Sequence, residues 1–134
     1  MKQSKRINPF FVEIIIVLLF LSFTCVILLQ IFSSSAVLSK KSSDLNSAIL
    51  KTQTYFETIL SYKENQDVIT ILENGEINFD KNWKENSQAD NYSLIPTYKT
   101  TENDTSVIYD ISIKIVKENG EEVYNATLSK LIAK

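Results

Sequence analysis

Glu13 is the most informative residue in this chain because it interrupts an apolar run that extends from Phe10 to Phe32. A carboxylate at the centre of a bilayer costs about 2.5–3.5 kcal/mol, and less toward the interface, so an acid kept there is a functional candidate. One interpretation is a carboxylate that reaches headgroup water or is protonated. The other is an ion pair between neighbouring helices, which would fix their axial stagger because an unpaired charge penalises every other register.

Other chemistry is restricted by composition. The chain has no histidine, and its glycines, Gly75 and Gly120, stand far apart. Zinc sites, histidine bases, serine or cysteine nucleophiles activated by histidine, and glycine-rich phosphate loops are therefore excluded. The acids between Asp67 and Asp90 are interspersed with lysine and asparagine, which is typical of a solvated surface rather than a pair of catalytic carboxylates. We expect a protein that is not an enzyme, without metal or cofactor.

The apolar run is long enough to cross a membrane. Residues 10–32, at about 1.5 Å each, give roughly 35 Å of helix against a hydrocarbon layer of about 30 Å. Lys2, Lys5 and Arg6 precede the run, which favours a cytoplasmic N-terminus, although two lysines also follow it at 40 and 41. Residues 33–134 hold 15 acids and 11 bases, which argues against a nucleic-acid surface.

A cleaved signal peptide is the rival interpretation of this segment. Signal peptides usually have an apolar stretch of about 7–15 residues that ends at a site of small residues. This run is longer, although Ser33, Ser34, Ser35 and Ala36 follow it. The single cysteine, Cys25, lies inside the run and indicates a buried apolar thiol rather than a lipid attachment site, because Phe23 and Thr24 stand before it where lipoprotein signals need small residues.

Beyond the membrane segment the pattern predicts a continuous helix as far as about Tyr62. Neither glycine nor proline occurs between Pro9 and Gly75. One set of residues recurs at the helical period and predicts the face that packs on a folded domain. That set is Leu38, Leu45, Ala48, Ile49, Thr52, Phe56, Ile59 and Leu60.

The C-terminal half predicts one short helix and an antiparallel sheet. Residues 67–79 fit either a hairpin turning at Asn74–Gly75 or, as we favour, a short helix stopped by Gly75. Residues 76–80 and 105–117 alternate as strands do, and 91–99 form a weaker strand whose Pro96 belongs at an edge or bulge.

Asn119–Gly120 predicts the last hairpin, as a two-residue type I′ turn. This turn would pair Ile115 with Tyr124, Ile113 with Ala126 and Ile111 with Leu128 on one face. It would pair Lys114 with Asn125, Ser112 with Thr127 and Asp110 with Ser129 on the other. Turn chemistry and side-chain pattern agree on this register, and the apolar face is what the helix needs as a cover.

The predicted fold class is α+β, with a long N-terminal helix packed on an antiparallel sheet of three or four strands, one face of which stays wet. We expect four segments: a basic cytoplasmic leader at 1–9, a transmembrane helix at 10–32, an amphipathic stem at 33–64 and an exported head at 65–134.

The stretch from Pro9 to Leu19, behind its short basic leader, resembles the N-terminal segment of type IV pilins and of the pseudopilins of type II secretion systems. The resemblance covers about 25 residues through the motif, and the layout of helix and sheet extends it more loosely. It implies a filament or pseudopilus subunit in which Glu13, with Phe10 and Phe11 before it, forms the helix–helix assembly site.

The match departs from the family at its processing site. With Glu13 counted as fifth, Pro9 is first, and Asn8 stands where the family's peptidase requires glycine. These departures favour a noncleaved, minor or degenerate pseudopilin. Without a free amine at the helix start, we expect Lys5 or Arg6 of an adjacent subunit to be the charge partner of Glu13.

The leading interpretation is a non-enzymatic, single-pass membrane subunit whose partners are the lipid bilayer, other pilin-like subunits and pilus or secretion assembly proteins. The alternative is a membrane-tethered, extracytoplasmic binding module with the helix as a simple anchor. A third is a secreted domain released by signal peptidase.

Overall fold

The computed structural model describes residues 8–134, which form two compact units that meet between Lys41 and Ser42. Helix α1 extends from Pro9 to Ser61 and so belongs to both units. The expectation of one uninterrupted helix is confirmed. It follows from the absence of glycine and proline after Pro9, because these residues interrupt helices most strongly.

The second unit contains the rest of the fold. Helix α2 is Asn65–Glu73, and the strands are β1 Ile77–Phe79, β2 Tyr92–Glu102, β3 Ser106–Lys117 and β4 Glu122–Ala133. They form one antiparallel sheet in the order β1-β2-β3-β4. The predicted α+β class is confirmed, and the short helix, rather than the Asn74–Gly75 hairpin, occupies the uncertain segment. Gly75 follows α2 with φ +77°, the left-handed conformation that ends many helices.

The predicted register of the last hairpin is confirmed at all six pairs, from Ile115 with Tyr124 to Asp110 with Ser129. The predicted turn is wrong. Gly120 N–H donates to Lys117 O at 2.8 Å, and Lys117 N–H donates to Glu121 O at 2.9 Å, so the loop has three residues. Only Gly120 adopts a positive φ, of +79°. A bulge that leaves Val123 unpaired then restores the predicted register.

Pro96 lies in the interior of β2 without breaking a hydrogen bond. Asn103 N–H donates to Ser106 O, so the N–H groups of the odd-numbered residues of β2 point toward β3. Pro96 is even-numbered, and its nitrogen therefore lies on the side of β2 away from β3. β1 pairs with β2 only as far as Leu94. Beyond that point β2 is an edge, as the proline predicts.

The core lies between the inner face of the sheet and the two helices. Leu94, Ile111, Ile113, Ile115, Val68 and Ile59 are essentially inaccessible. The outer face alternates with it and carries exposed Asp110 and Lys114, which confirms the one wet face.

The buried face of α1 differs from the predicted one. Ala48, Thr52 and Ile59 are buried as predicted, but Leu45 and Leu60 are 41% and 53% exposed. The other buried residues of this helix are Asp44 and Tyr55. The buried stripe is therefore rotated toward Asp44 and Tyr55, which contact Lys117 on β3 and the backbone oxygen of Ile71 on α2.

Candidate functional site

The N-terminal unit consists of an exposed apolar helix surface. Glu13, Phe10 and Phe11 are all exposed, as is every apolar side chain from Phe10 to Phe32. This part of α1 is long and apolar enough to cross a membrane, a property that signal sequences share. It is consistent with a single-pass membrane protein. Glu13 is the one charged residue in this run.

Asn8 and Pro9 together begin the helix. The Asn8 side-chain oxygen accepts the N–H of Phe10 at 3.4 Å, and its carbonyl oxygen accepts the N–H of Phe11 at 2.9 Å. Asparagine before the first helical residue and proline at that residue are the preferred types for these positions. The dipeptide thus has a structural role as a helix start. Lys5 and Arg6 lie outside the described residues.

In the second unit, a buried carboxylate of α1 contacts the sheet. Asp44 is 5% exposed, and its Oδ2 lies 3.5 Å from Nζ of Lys117 on β3. The hydroxyl of Tyr92 on β2 donates a hydrogen bond to the same carboxylate. Burial, together with this bond and the negative charge, raises the pKa of Tyr92 to about 12.

A buried lysine of β4 contacts the C-terminal end of α1. Lys130 on β4 is 8% exposed, and its Nζ donates to the backbone oxygens of Ile59 and Tyr62. These carbonyls lie at the C-terminal end of α1, where the last carbonyl groups lack N–H donors within the helix and a cation is favoured. Desolvation lowers the pKa of Lys130.

The loop after β1 is built around Asp80 and Trp83. Asp80 Oδ1 accepts the N–H groups of Asn82 at 2.8 Å and Lys84 at 3.0 Å, and the bond from Lys84 is the main cause that lowers the pKa of Asp80. Trp83 adopts φ +61° and stacks on Tyr92 with ring centroids 4.0 Å apart. The loop thus closes over one end of the sheet.

A cleft of about 320 Å³ opens between α1, α2 and the β1 side of the sheet. Its floor is apolar, and its rim carries Lys51 and Glu85. Lys51 Nζ lies 5.2 Å from the centre of the Phe79 ring. The size is at the small end of the range for small-molecule sites. Within residues 8–134, histidine, cysteine, aspartate and glutamate nowhere cluster in a way that could hold a metal ion.

Sequence reasoning missed Asp44 and Lys130. Each stands on an apolar face at the correct period: Asp44 precedes Ala48 and Thr52 by four and eight residues, and Lys130 lies between Leu128 and Ile132 on the inner face of β4. A charge at such a position indicates a buried partner, but the pattern does not identify it. Comparison with protein-family models, with curated proteins and with solved structures gave no match.

Proposed function

We propose that this protein is a single-pass membrane subunit that assembles with copies of itself or with similar subunits through the helix surface around Glu13. The observation that supports the proposal is a single carboxylate on an otherwise apolar helix surface of bilayer length. Its resemblance to pseudopilins makes a minor subunit of a type II secretion or pilus-like apparatus the specific form of this proposal.

In this proposal the helix surface around Glu13 faces lipid rather than water. Helices in lipid gain little from apolar contact alone, so association depends on close packing and on polar pairing. A carboxylate that meets a cation of a neighbour is stabilised there, and every stagger that leaves it unpaired is penalised. Lys5 or Arg6 of the neighbour is the proposed cation, and cytoplasmic placement of the leader is part of the proposal.

Crosslinking of introduced cysteines tests assembly. In a Cys25→Ser background, the double variant Ile15→Cys/Val17→Cys places thiols on nearly opposite sides of α1, because residues two apart are about 200° apart around a helix. Oxidation of native membranes then gives a ladder of oligomers if subunits form a polymer. Each single variant stops at dimers, which is the matched control. Monomers throughout would contradict the proposal.

Charge variants at Glu13 test the role of the carboxylate. We expect Glu13→Lys to abolish the ladder because it places a cation opposite the proposed cation. Glu13→Asp keeps the charge and should retain assembly. A ladder of undiminished length in Glu13→Lys would show that pairing at this residue does not guide assembly.

The cleft beside α2 favours a second candidate function, a membrane-tethered binding module. A pocket with an apolar floor and one residue of each charge at its rim fits a small ligand that carries both signs of charge. Under this alternative the crosslinking experiment gives monomers, and substitution of Lys51 and Glu85 changes function while Glu13 can be replaced freely.

A further inference from the structure

The apolar run of α1 contains one amide side chain, Gln30, in addition to the carboxylate of Glu13. Gln30 is exposed, and its amide makes no hydrogen bond within residues 8–134. Its two N–H groups and its carbonyl oxygen together can form about four hydrogen bonds. In lipid an unsatisfied group of this kind costs free energy, because hydrocarbon offers neither donors nor acceptors.

The two hydroxyl side chains of the run, Ser22 and Thr24, need no neighbour. The Ser22 hydroxyl donates to Leu18 O at 2.8 Å, and the Thr24 hydroxyl donates to Phe20 O at 2.9 Å. Such bonds to the preceding turn satisfy a hydroxyl within its own helix. Gln30 has no bond of this kind, so its amide is the group that calls for a partner from outside the helix.

In a helix that crosses the membrane, the amide of Gln30 lies inside the hydrocarbon. The midpoint of the run is Leu21, so the Cα of Gln30 is about 13 Å from the middle of a layer that extends roughly 15 Å to each side. Helical side chains tilt toward the N-terminus of their helix, which at this end of the run is toward the middle of the bilayer. The amide is therefore directed away from the nearer headgroups.

A second copy of the chain is the partner that this amide fits. An amide is both donor and acceptor, so two Gln30 side chains can satisfy each other. Copies that enter the membrane in the same direction carry the amide at the same depth, whereas a different helix needs a polar group of its own there. Parallel pairing brings the two amides together with no shift of one helix along the other.

The Gln30 side of α1 has the residue spacing of a parallel helix pair. Steps of three and four residues repeat every seven along this side, which keeps one seam facing a partner. The seam consists of Ile16, Leu19, Phe23, Val26, Gln30, Ser33 and Val37. Its apolar members are between 54% and 66% exposed, so no other part of the described chain covers them. A single polar residue in such a seam fixes the register of the pair.

The seam leaves Glu13 available for a separate contact. Glu13 and Gln30 are 17 residues apart, which places them about 100° apart around the helix and roughly 25 Å apart along it. In a parallel pair Glu13 flanks the seam, on the side opposite to Glu13 of the partner. Pairing through Gln30 therefore does not bring two carboxylates together.

We infer that α1 pairs in parallel with α1 of a second copy through hydrogen bonds between the two Gln30 amides, inside the hydrocarbon. The inference rests on the proposed membrane crossing and adds a contact distinct from the one around Glu13. Polar pairing of this kind strengthens helix association in lipid roughly three- to tenfold.

Disulfide crosslinking of the purified full chain in lipid vesicles tests the pairing. In a Cys25→Ser background, Val26→Cys lies on the seam about 40° from Gln30, and Leu28→Cys lies about 160° from it at nearly the same depth. We expect oxidation to give dimers of the Val26→Cys chain and few of the Leu28→Cys chain, which is the matched control. Oxidation at several lipid dilutions gives the midpoint of association.

Substitutions at Gln30 identify the amide as the cause of pairing. Gln30→Met removes the amide with little change in side-chain length and should move the midpoint to a roughly three- to tenfold higher ratio of protein to lipid. Gln30→Asn keeps an amide and should retain the dimers. In a Glu13→Lys background we expect the same dimers and the same shift, although the oligomer ladder is lost.

Four results would overturn the inference. They are equal midpoints for wild-type and Gln30→Met chains, equal dimer yields for Val26→Cys and Leu28→Cys chains, loss of the dimers in the Glu13→Lys background, and crosslinking of Val26→Cys in native membranes to a protein of another mass alone. The last would identify a foreign helix as the partner. Alkaline carbonate extraction of the same variants reports the membrane crossing separately, and a chain that carbonate releases would overturn both proposals.

Discussion

At the scale of single residues, two charged side chains hold the C-terminal part of α1 on the sheet. Asp44 contacts β2 and β3, and Lys130 caps the last turn of α1 from β4. Burying a charge is costly unless it is paired and hydrogen-bonded, so each position tolerates few substitutions. Their partners lie more than 45 residues away along the chain. Sequence periodicity alone therefore gives no means to predict the pairs.

Replacing Lys130 with methionine should destabilise the head. The change leaves the carbonyl oxygen of Tyr62 without the Lys130 donor and that of Ile59 with the Tyr62 N–H alone, and an unsatisfied buried polar group costs about 1–3 kcal/mol. Trp83 is the sole tryptophan and lies in the head, so its fluorescence during denaturant unfolding measures this loss. Lys114→Met is the control, since Lys114 pairs with Glu122 at the surface and should change stability little. Equal midpoints for the two variants would contradict the capping role.

The head should lose stability in alkaline solution through Tyr92. Its pKa is about 12 in the folded protein and 10.0 ordinarily, so the folded state retains a proton that the unfolded state has lost between these values. The contribution is complete below pH 10.0 and disappears as pH rises toward about 12. The raised pKa values of Tyr55 and Tyr109 also make stability fall as pH rises. The lowered pKa of Lys130 has the opposite effect and makes stability rise with pH.

The difference between wild type and Tyr92→Phe isolates this effect. The phenylalanine variant should show a shallower loss of unfolding free energy across that pH interval, measured by denaturant midpoints at several pH values. Parallel curves for the two proteins would mean that folding does not raise the pKa of Tyr92, either by burial or through Asp44.

At the scale of elements, the hairpin register was predictable and the turn was not. The alternation of β3 and β4 requires odd-numbered residues of β3 to lie opposite even-numbered residues of β4, which excludes slips by one residue. The position of the turn at residues 118–120 then selects among the registers that remain. The dipeptide Asn119–Gly120 is compatible with a two-residue and with a three-residue loop. The three-residue loop shifts the pairing by one residue, and the bulge at Val123 shifts it back to the predicted register.

The buried face of α1 was predicted only in part. Ala48, Thr52 and Ile59 belong to the predicted set. Asp44 and Tyr55 do not, because each is buried with a partner on another element, which helical periodicity does not reveal.

Gly120→Ala should cost about 1 kcal/mol of head stability, because an L-residue in the left-handed conformation is strained. No atom lies within 4 Å of the position a Cβ would take, so the cost comes from the backbone alone. Gly120→Asn should cost less, since asparagine tolerates this conformation. Unfolding followed by Trp83 fluorescence ranks the three proteins. Equal losses for alanine and asparagine would argue against backbone strain as the cause.

At the scale of the whole molecule, the candidate assembly site depends on what happens to the segment before Pro9. Asn8 and Pro9 form a helix start. Under the proposal of a pilin-like subunit, Asn8 also stands where the processing enzyme of type IV pilins requires glycine. The sequence identified Glu13, Phe10 and Phe11 as candidates through their resemblance to pseudopilins. Their pairing in an assembly involves a second molecule, so neither the sequence nor the fold of one chain determines it.

We expect the chain extracted from membranes to keep its leader, with an intact mass near 15.3 kDa. Alkaline carbonate should leave it in the membrane fraction, as for an integral protein. A mass that corresponds to a start at Pro9 would indicate processing of the pilin type after all. A soluble product that starts near Ala36 would indicate a cleaved signal peptide.

The cap that Lys130 places on α1 also has a consequence in time. A ribosome makes the helix first, and the side chain that completes its last turn emerges about 70 residues later, after all of β2 and β3. Until then the ammonium of Lys130 cannot reach the carbonyl oxygens of Ile59 and Tyr62, so the end of α1 lacks the cation that completes it. The nascent head therefore passes through an interval in which it can be captured, held or degraded, and the last strand closes that interval.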